Sequence, residues 1–364
     1  MSFKEMIRRG SKLFRQVAFG TLGIACVAVA QSPDDAATKP PKPIIKLIET
    51  YGLRTVARSS VIDASEFKAG DILQESSVAR AIERIEAIPG VRKAAVAAIY
   101  GNLLRDETLG MVVYVGIEEK GSPPLQFGEG PSGNAALPAE IVEANDKEQQ
   151  AFRGTAARGQ FGEDRSQGHS LSTDPELRAA QEQFIPLAIT HWDTLVEVVH
   201  NSRDSTQRAI AAKVIAYAKD KETVVRELTP ALHDPDGAVR NNSTRALSLV
   251  FGYAKAHLEH RIIPPDDLVQ RLIYMLDSLE WTDRNKATAL LLSIDEHEFV
   301  LRELRKRAIP SLVEMSNWES THGAMAFMLL GRLDNMTHDE SRSAWQGGRQ
   351  ARVIVRVQEA ATTK

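Results

Sequence analysis

Leu228-Thr229-Pro230-Ala231-Leu232-His233-Asp234-Pro235-Asp236-Gly237-Ala238-Val239-Arg240, followed by Ser243 to Val250, is the stretch whose reading decides the fold. Leu272 to Ile294 overlays it at a shift of 44 residues. Leu228 then meets Leu272, Leu232 meets Leu276, Arg240 meets Arg284 and Leu247 meets Leu291. A further shift of 37 carries Trp281 onto Trp318, Ala287 onto Ala324 and Leu292 onto Leu329. Upstream, Leu195 and Val199 precede Leu228 and Leu232 by 33. Recurrence near 40 residues with loops of variable length is the pattern of stacked helix pairs, each burying its apolar face against its neighbours. Leu195, Leu228, Leu232, Leu272, Leu276, Trp281 and Trp318 are therefore expected in the repeat core, the two tryptophans at its corners.

The Asp234-to-Arg240 turn resembles the inter-helix signature of HEAT repeats. An aspartate ahead of the second helix caps its free N–H groups, and Val239 enters the core. Arg240 and Arg284 are expected to reach acidic groups of a neighbouring repeat. About four pairs fit between Trp192 and Met336, within an all-α HEAT-like solenoid spanning 175–340; the resemblance itself covers about 191–336. Residues 341–364 form a C-terminal tail or helix. There Arg349, Arg352 and Arg356 share a helical face, while Val353-Ile354-Val355 would equally make a strand.

Upstream of the repeats, residues 44–120 read as a small α+β domain in the order β-α-α-β-β. Ile44 to Ile48 is a strand, and Tyr51-Gly52 turns after it. Val56, Val61 and Ile62 suggest a first helix. Val78, Ile82, Ile85 and Ile88 give a second one by their spacings of four and three, stopped by Pro89-Gly90. Strands follow over Val91 to Tyr100 and Met111 to Ile117. This order resembles the POTRA domain of polypeptide-transport and outer-membrane assembly proteins. The likeness rests on Gly52, on Phe67-Lys68-Ala69-Gly70-Asp71, on Ile88-Pro89-Gly90-Val91, and on the closing Val115-Gly116-Ile117-Glu118-Glu119. The resemblance implies capture of extended polypeptide at an exposed sheet edge through main-chain hydrogen bonds. Ile44, Ile48, Met111 and Ile117 mark the strands expected to border that edge. A single such domain with no β-barrel after it does not inherit the role of a barrel-assembly pore.

Between the two regions, residues 121–174 are rich in glycine, proline and charge, and poor in apolar side chains. Their composition predicts a flexible, disordered linker, with a helical turn around Ala139 to Phe152. Gly154, Gly159 and Gly162 make no phosphate loop, lacking a preceding strand and a Gly-Lys-Ser/Thr ending.

The chain begins with Lys4, Arg8, Arg9, Lys12 and Arg15, opposed only by Glu5. An apolar run from Val17 to Ala30 follows, ending Ala28-Val29-Ala30 before Gln31. Basic head, short apolar run and small residues before the cut describe an export signal over 1–30, cleaved between Ala30 and Gln31, with 31–43 as a spacer. An uncleaved N-terminal membrane anchor is the alternative. Cleavage would move the net charge from −3 to −7 and remove Cys26, the single cysteine. A cysteine-free mature chain suits an oxidising envelope compartment such as the periplasm. The lipobox-like Leu22-Gly23-Ile24-Ala25-Cys26 has glycine where a branched apolar residue belongs.

With 43% apolar and 26% charged residues in 364, the chain can fill more than one ordinary core. One cysteine excludes a disulfide framework, and the mildly acidic balance argues against nucleic acid as partner. Catalytic motifs are thin. Asp295-Glu296-His297-Glu298 lacks the i, i+4 histidine pair of a zinc helix, and His257 and His260 have no carboxylates at ligand spacing. Arg302, Arg305, Lys306 and Arg307 sit among glutamates, as on a solvated helix face. No cofactor or metal is expected. The expectation is a noncatalytic exported protein binding polypeptide or a protein complex, with peripheral association with an envelope membrane complex. The other class is an envelope enzyme, a hydrolase or modifying enzyme, with a site assembled from distant residues.

Overall fold

The computed structural model of the protein describes residues 24–25 and 44–362, apart from 102, 106, 107, 109, 123, 124, 161 and 258–260. The expected cleavage site at Ala30 and Gln31, Cys26 and His260 lie outside the described residues. The chain divides into two compact units. The first ends at Leu125 and also takes in Asp277–Thr282 and Glu314–Ala324; the second comprises Gln126–Leu276, Asp283–Val313 and the chain from Met325 onward.

In the first unit, strands β1 (Ile24–Ala25), β2 (Ile45–Tyr51), β3 (Val91–Gly101) and β4 (Gly110–Glu119) form a sheet in the order β1-β3-β4-β2. β4 runs antiparallel to β3 and parallel to β2. Helices α1 (Arg58–Ser65) and α2 (Glu75–Glu86) cover one face, their Val61, Ala81 and Ile85 packing onto Ile45, Val96 and Val113. Their apolar spacing drives this burial, at roughly 25 cal/mol per Å² removed from water.

The other face of the sheet is also covered. Tyr114 is fully buried there, with its ring centroid 4.8 Å from Trp281 and 5.2 Å from Trp318. Its hydroxyl hydrogen-bonds Ser320 Oγ (2.8 Å) and His322 Nδ1 (2.6 Å). Gly116 makes room for the Tyr51 ring: a Cβ there would stand 2.3 Å from its carbons. The two tryptophans are thus buried, as expected of core residues, but against the sheet within the first unit. Their repeat-equivalent positions place both on the same tyrosine.

The second unit is mainly helical. Helix 205–215 packs on helices 192–201 and 237–256. Leu195, Leu228, Leu232, Leu272 and Leu276 are all fully buried. Asp236 caps the helix that starts at Gly237, accepting from the N–H groups of Ala238 and Val239. Arg240 reaches forward to Asp283, Nη2 to Oδ2 at 2.7 Å, with side chains 2% and 0% exposed. Arg208 makes the same move one step earlier, donating to both oxygens of Asp234 at 2.7 and 2.8 Å. Arg284 is buried too.

The stretch expected to be a flexible linker is instead built structure, apart from its unassigned positions. It contains helix Ala139–Ala157, with Ile141, Ala144 and Ala151 buried, and a small ladder between β5 (Glu163–Asp164) and β6 (Leu171–Ser172). Ahead of the helix, residues 126–137 lie extended along helix-helix corners of the same unit. Gly128 N–H donates to His233 O (2.6 Å), Gly133 O accepts from Arg203 N–H (2.9 Å), and Leu137 N–H donates to Gln207 Oε1 (2.6 Å). The glycines that suggested disorder serve close approach: a Cβ on Gly133 would stand 2.3 Å from Asn201 O. Phe127 lies under the guanidinium carbons of Arg240 (3.5 Å) and Arg271 (4.5 Å).

The C-terminal residues take the helical one of the two expected forms, over His338–Gln346 and Gln350–Thr362. The strand alternative at Val353-Ile354-Val355 does not form, and Val353 and Ile354 are buried on the last helix.

Candidate functional site

The strand order decides which edge is open. β4, carrying Met111 and Ile117, lies between β3 and β2 and is buried along nearly its whole length. It cannot accept another strand, which corrects the expectation for Met111 and Ile117. The near-continuous apolar run Met111-Val112-Val113-Tyr114-Val115 is what a strand buried on both faces requires.

β2 is an edge, but its own chain occupies it. Ile45 exchanges N–H and C=O with Asp71 O and Gly70 N–H, both at 2.8 Å, and Ile44 bridges Ile72. Arg58 Nη2 donates to Ile48 O (3.1 Å), and Trp318 Nε1 to Thr50 O (3.2 Å). Ile44 is 38% exposed while Ile48 packs on the core. Three carbonyls of this strand are therefore already taken.

β3 is the remaining edge. Among the described residues its outer side carries only Ile24–Ala25, antiparallel, with Ile24 opposite Tyr100 and Ala25 opposite Ile99. The N–H of Ala94 leaves the ladder and donates to Glu86 Oε1 (3.0 Å). Alternation then turns the N–H groups of Val96, Ala98 and Tyr100 to the same outer side. The side chains along Ala94-Ala95-Val96-Ala97-Ala98 are small, and Ala94, Val96 and Ala98 point into the core. Arg92 at the strand's start is engaged with β4 and the turn after it, pairing with Glu118 (2.5 Å) and donating to Ser122 O (2.8 Å), and no local signal in the sequence marks β3 as the edge.

Next to this edge strand's partner sits a loop held by two carboxylates. Glu314 Oε1 accepts the N–H groups of Gly52 (2.7 Å) and Leu53 (3.3 Å). Glu119 accepts those of Arg54 (2.7 Å), Thr55 (2.9 Å) and Val56 (2.9 Å), and the Thr55 hydroxyl (2.5 Å). Burial pushes the Glu119 carboxyl up, but these donors outweigh it and bring its pKa down to about 2. Glu49 differs in sign: burial pushes it up, and N–H groups of Ser320 and Glu319 offset that only in part.

Other sequence candidates resolve into structural contacts. Asp295, 2% exposed, is held by Lys255 (2.6 Å), His338 (2.5 Å) and Arg332 (3.2 Å). His297 is buried and its pKa lowered, chiefly by that burial. His257 stacks on Tyr253, with ring centroids 4.3 Å apart. In the basic cluster Arg305 pairs with Glu298 (3.0 Å), Lys306 with Glu303 (2.7 Å), and Arg307 donates to Gln270 (2.9 Å). Among the described residues no three His, Cys, Asp or Glu side chains gather as metal ligands, and no helix is long and apolar enough to cross a membrane.

No known family model and no curated protein matches the sequence.

Proposed function

We propose that this chain is a noncatalytic binding protein of the cell envelope that takes up an extended polypeptide as an added antiparallel strand along Val91–Gly101. The observation that carries the reading is the contrast between the two sheet edges. β2 is closed by its own chain, whereas β3 offers small side chains, outward N–H groups and a ladder begun by Ile24–Ala25. Strand addition at such an edge draws affinity from main-chain hydrogen bonds. The POTRA-like order of the sheet unit and the HEAT-like turns of the helical unit support a binding role, polypeptide for the first and a protein scaffold for the second. The basic head, the short apolar run and Ala28-Val29-Ala30 support export, which would release the chain from Gln31 onward.

The test uses the chain from Gln31 and a fluorescein-labelled peptide of its own residues 20–30, with serine in place of Cys26. Binding is read by anisotropy. Ala98→Pro removes an outward N–H on an edge, where proline is tolerated, at the cost of only a small side chain. It should weaken binding at least tenfold with an unchanged circular dichroism spectrum, and a peptide N-methylated at alternate residues should lose binding to the parent chain by as much. If the folded variant and the methylated peptide both bind like the parent pair, the β3 edge is not the site.

A further inference from the structure

Arg349, just ahead of the C-terminal helix, and Arg352 and Arg356 within it are unused by the reading above. A cleft of about 670 Å³ opens beside them, within the size range of small-ligand sites. Met336, Ala344 and Val353 give it an apolar lining, and Arg349, Arg352 and Arg356 bring three guanidinium groups to it. Asp339, Glu340 and Ser343 complete the wall.

The charges there do not cancel within the chain. Asp339 already pairs with Arg342 (3.1 Å). Glu340 is spent on the cap of its own helix, accepting from the Thr337 N–H (2.8 Å) and hydroxyl (2.9 Å). Arg356 is neutralised by Asp334 through Nε (2.9 Å). Arg349 meets only the neutral Ser343 hydroxyl (2.9 Å), and Arg352 has no partner among the described residues. Two planar fork donors that touch no carboxylate thus border an apolar lining, with Glu340 the remaining anion on the wall, held ionised by its cap hydrogen bonds.

We propose that this cleft binds the C-terminal end of a polypeptide whose last side chain is apolar. The terminal carboxylate accepts charge-assisted hydrogen bonds from Arg352 and Arg349, which match carboxylate geometry. The last side chain lies on Val353, Ala344 and Met336. A free terminus joins an anion and an apolar group on one residue, as this lining does with guanidinium and methyl groups. The choice of polypeptide as ligand rests on the proposed function, and the cleft gives that binding an end-specific contact.

The experiment titrates the full chain with a fluorescein-labelled peptide ending in Ala-Leu-Val, as the free acid and as the amide. The free acid should bind, and the amide at least tenfold more weakly. Arg352→Gln, an exposed change without a lost partner, should weaken the free acid by tenfold or more. Added salt should weaken it as well. Equal binding of acid and amide, no binding of either, or an unchanged Arg352→Gln protein would overturn the proposal. So would Arg352-dependent binding of phosphatidylglycerol vesicles in place of the peptide. Ala98→Pro separates the two sites: it should leave free-acid binding intact, so failure of the β3 edge and failure of the cleft read out independently.

Discussion

Protonating Glu119 should release the loop that follows β2. Its carboxylate gathers three consecutive backbone N–H groups and a hydroxyl, and its pKa falls from 4.5 to about 2 on folding. The unfolded chain therefore binds the proton more readily between those values. The contribution is fully present above pH 4.5 and is lost as pH falls through about 2. At 1.36 kcal/mol per pH unit this is worth about 3 kcal/mol. Arg54 and Thr55 of the loop are exposed, and solvent screening reduces the figure to roughly 1.5–3 kcal/mol. Glu119→Gln should cost about that much at pH 7, because its amide nitrogen faces donors rather than accepting from them. The loss should shrink towards zero near pH 2.

The assay is hydrogen exchange on amides 54–56 and on β3–β4, measured for parent and variant from pH 2.5 to 7 and corrected for intrinsic rates. Glu49→Gln is the internal control. Burial already favours the neutral form of Glu49, so a neutral isostere there should cost less than at Glu119 at pH 7. A Glu119→Gln penalty that is the same at pH 7 and pH 2.5, or a larger penalty at Glu49, would refute the reasoning.

Two further outcomes concern the helical unit. His169 is 5% exposed and stacks near Tyr217. Neither ring nitrogen has a well-formed hydrogen bond, and burial, with the Lys221 charge, brings its pKa down to about 4. Its contribution is present above pH 6.5 and lost as pH falls through about 4. His169→Phe should flatten urea stability over that window, and a retained slope would assign the effect elsewhere. Arg240→Ala takes away the guanidinium that pairs with the buried Asp283 and should cost about 3–5 kcal/mol in denaturant unfolding of the helical unit. A loss under about 1 kcal/mol would show that the pair is relaxed or solvated.

The elements of the sheet unit were legible because their signals are local. Val78, Ile82 and Ile85 fix a helix by period, and Pro89-Gly90 ends it. Sheet order is not local, so the two strands expected to border the free edge did not include β3: Met111 to Ile117 reads as a strong strand whether it lies outside or in the centre, and the charges that open β3 and close β4 look alike. The glycine-rich stretch failed for a different reason. Composition counts the side chains available to a core, and residues 126–137 are held mainly through their backbone, where Gly128 and Gly133 are an advantage. The part Glu119 and Glu314 play in holding the loop was invisible, although Glu119 stood in the quoted end of β4, because their partners are N–H groups, which every sequence carries.

The arginine pairs bear on how helices with similar leucine faces choose one arrangement. Such helices differ little in apolar burial if one slips against the next. Leu228, Leu232, Leu272 and Leu276 would be nearly interchangeable as greasy contacts. A buried guanidinium is not. Arg208 needs Asp234, and Arg240 needs Asp283, each in a dry setting where an unpaired charge is costly. Net stability from such pairs is small, since both charges lose water. Their effect is on the alternatives, because any slipped register strands two charges at once. Phe127 adds a lock of the same kind, its ring lying against Arg240 and Arg271. The same arginine that fixes neighbouring helices thus also fixes the extended segment laid across them, and composition alone gave no hint of that coupling.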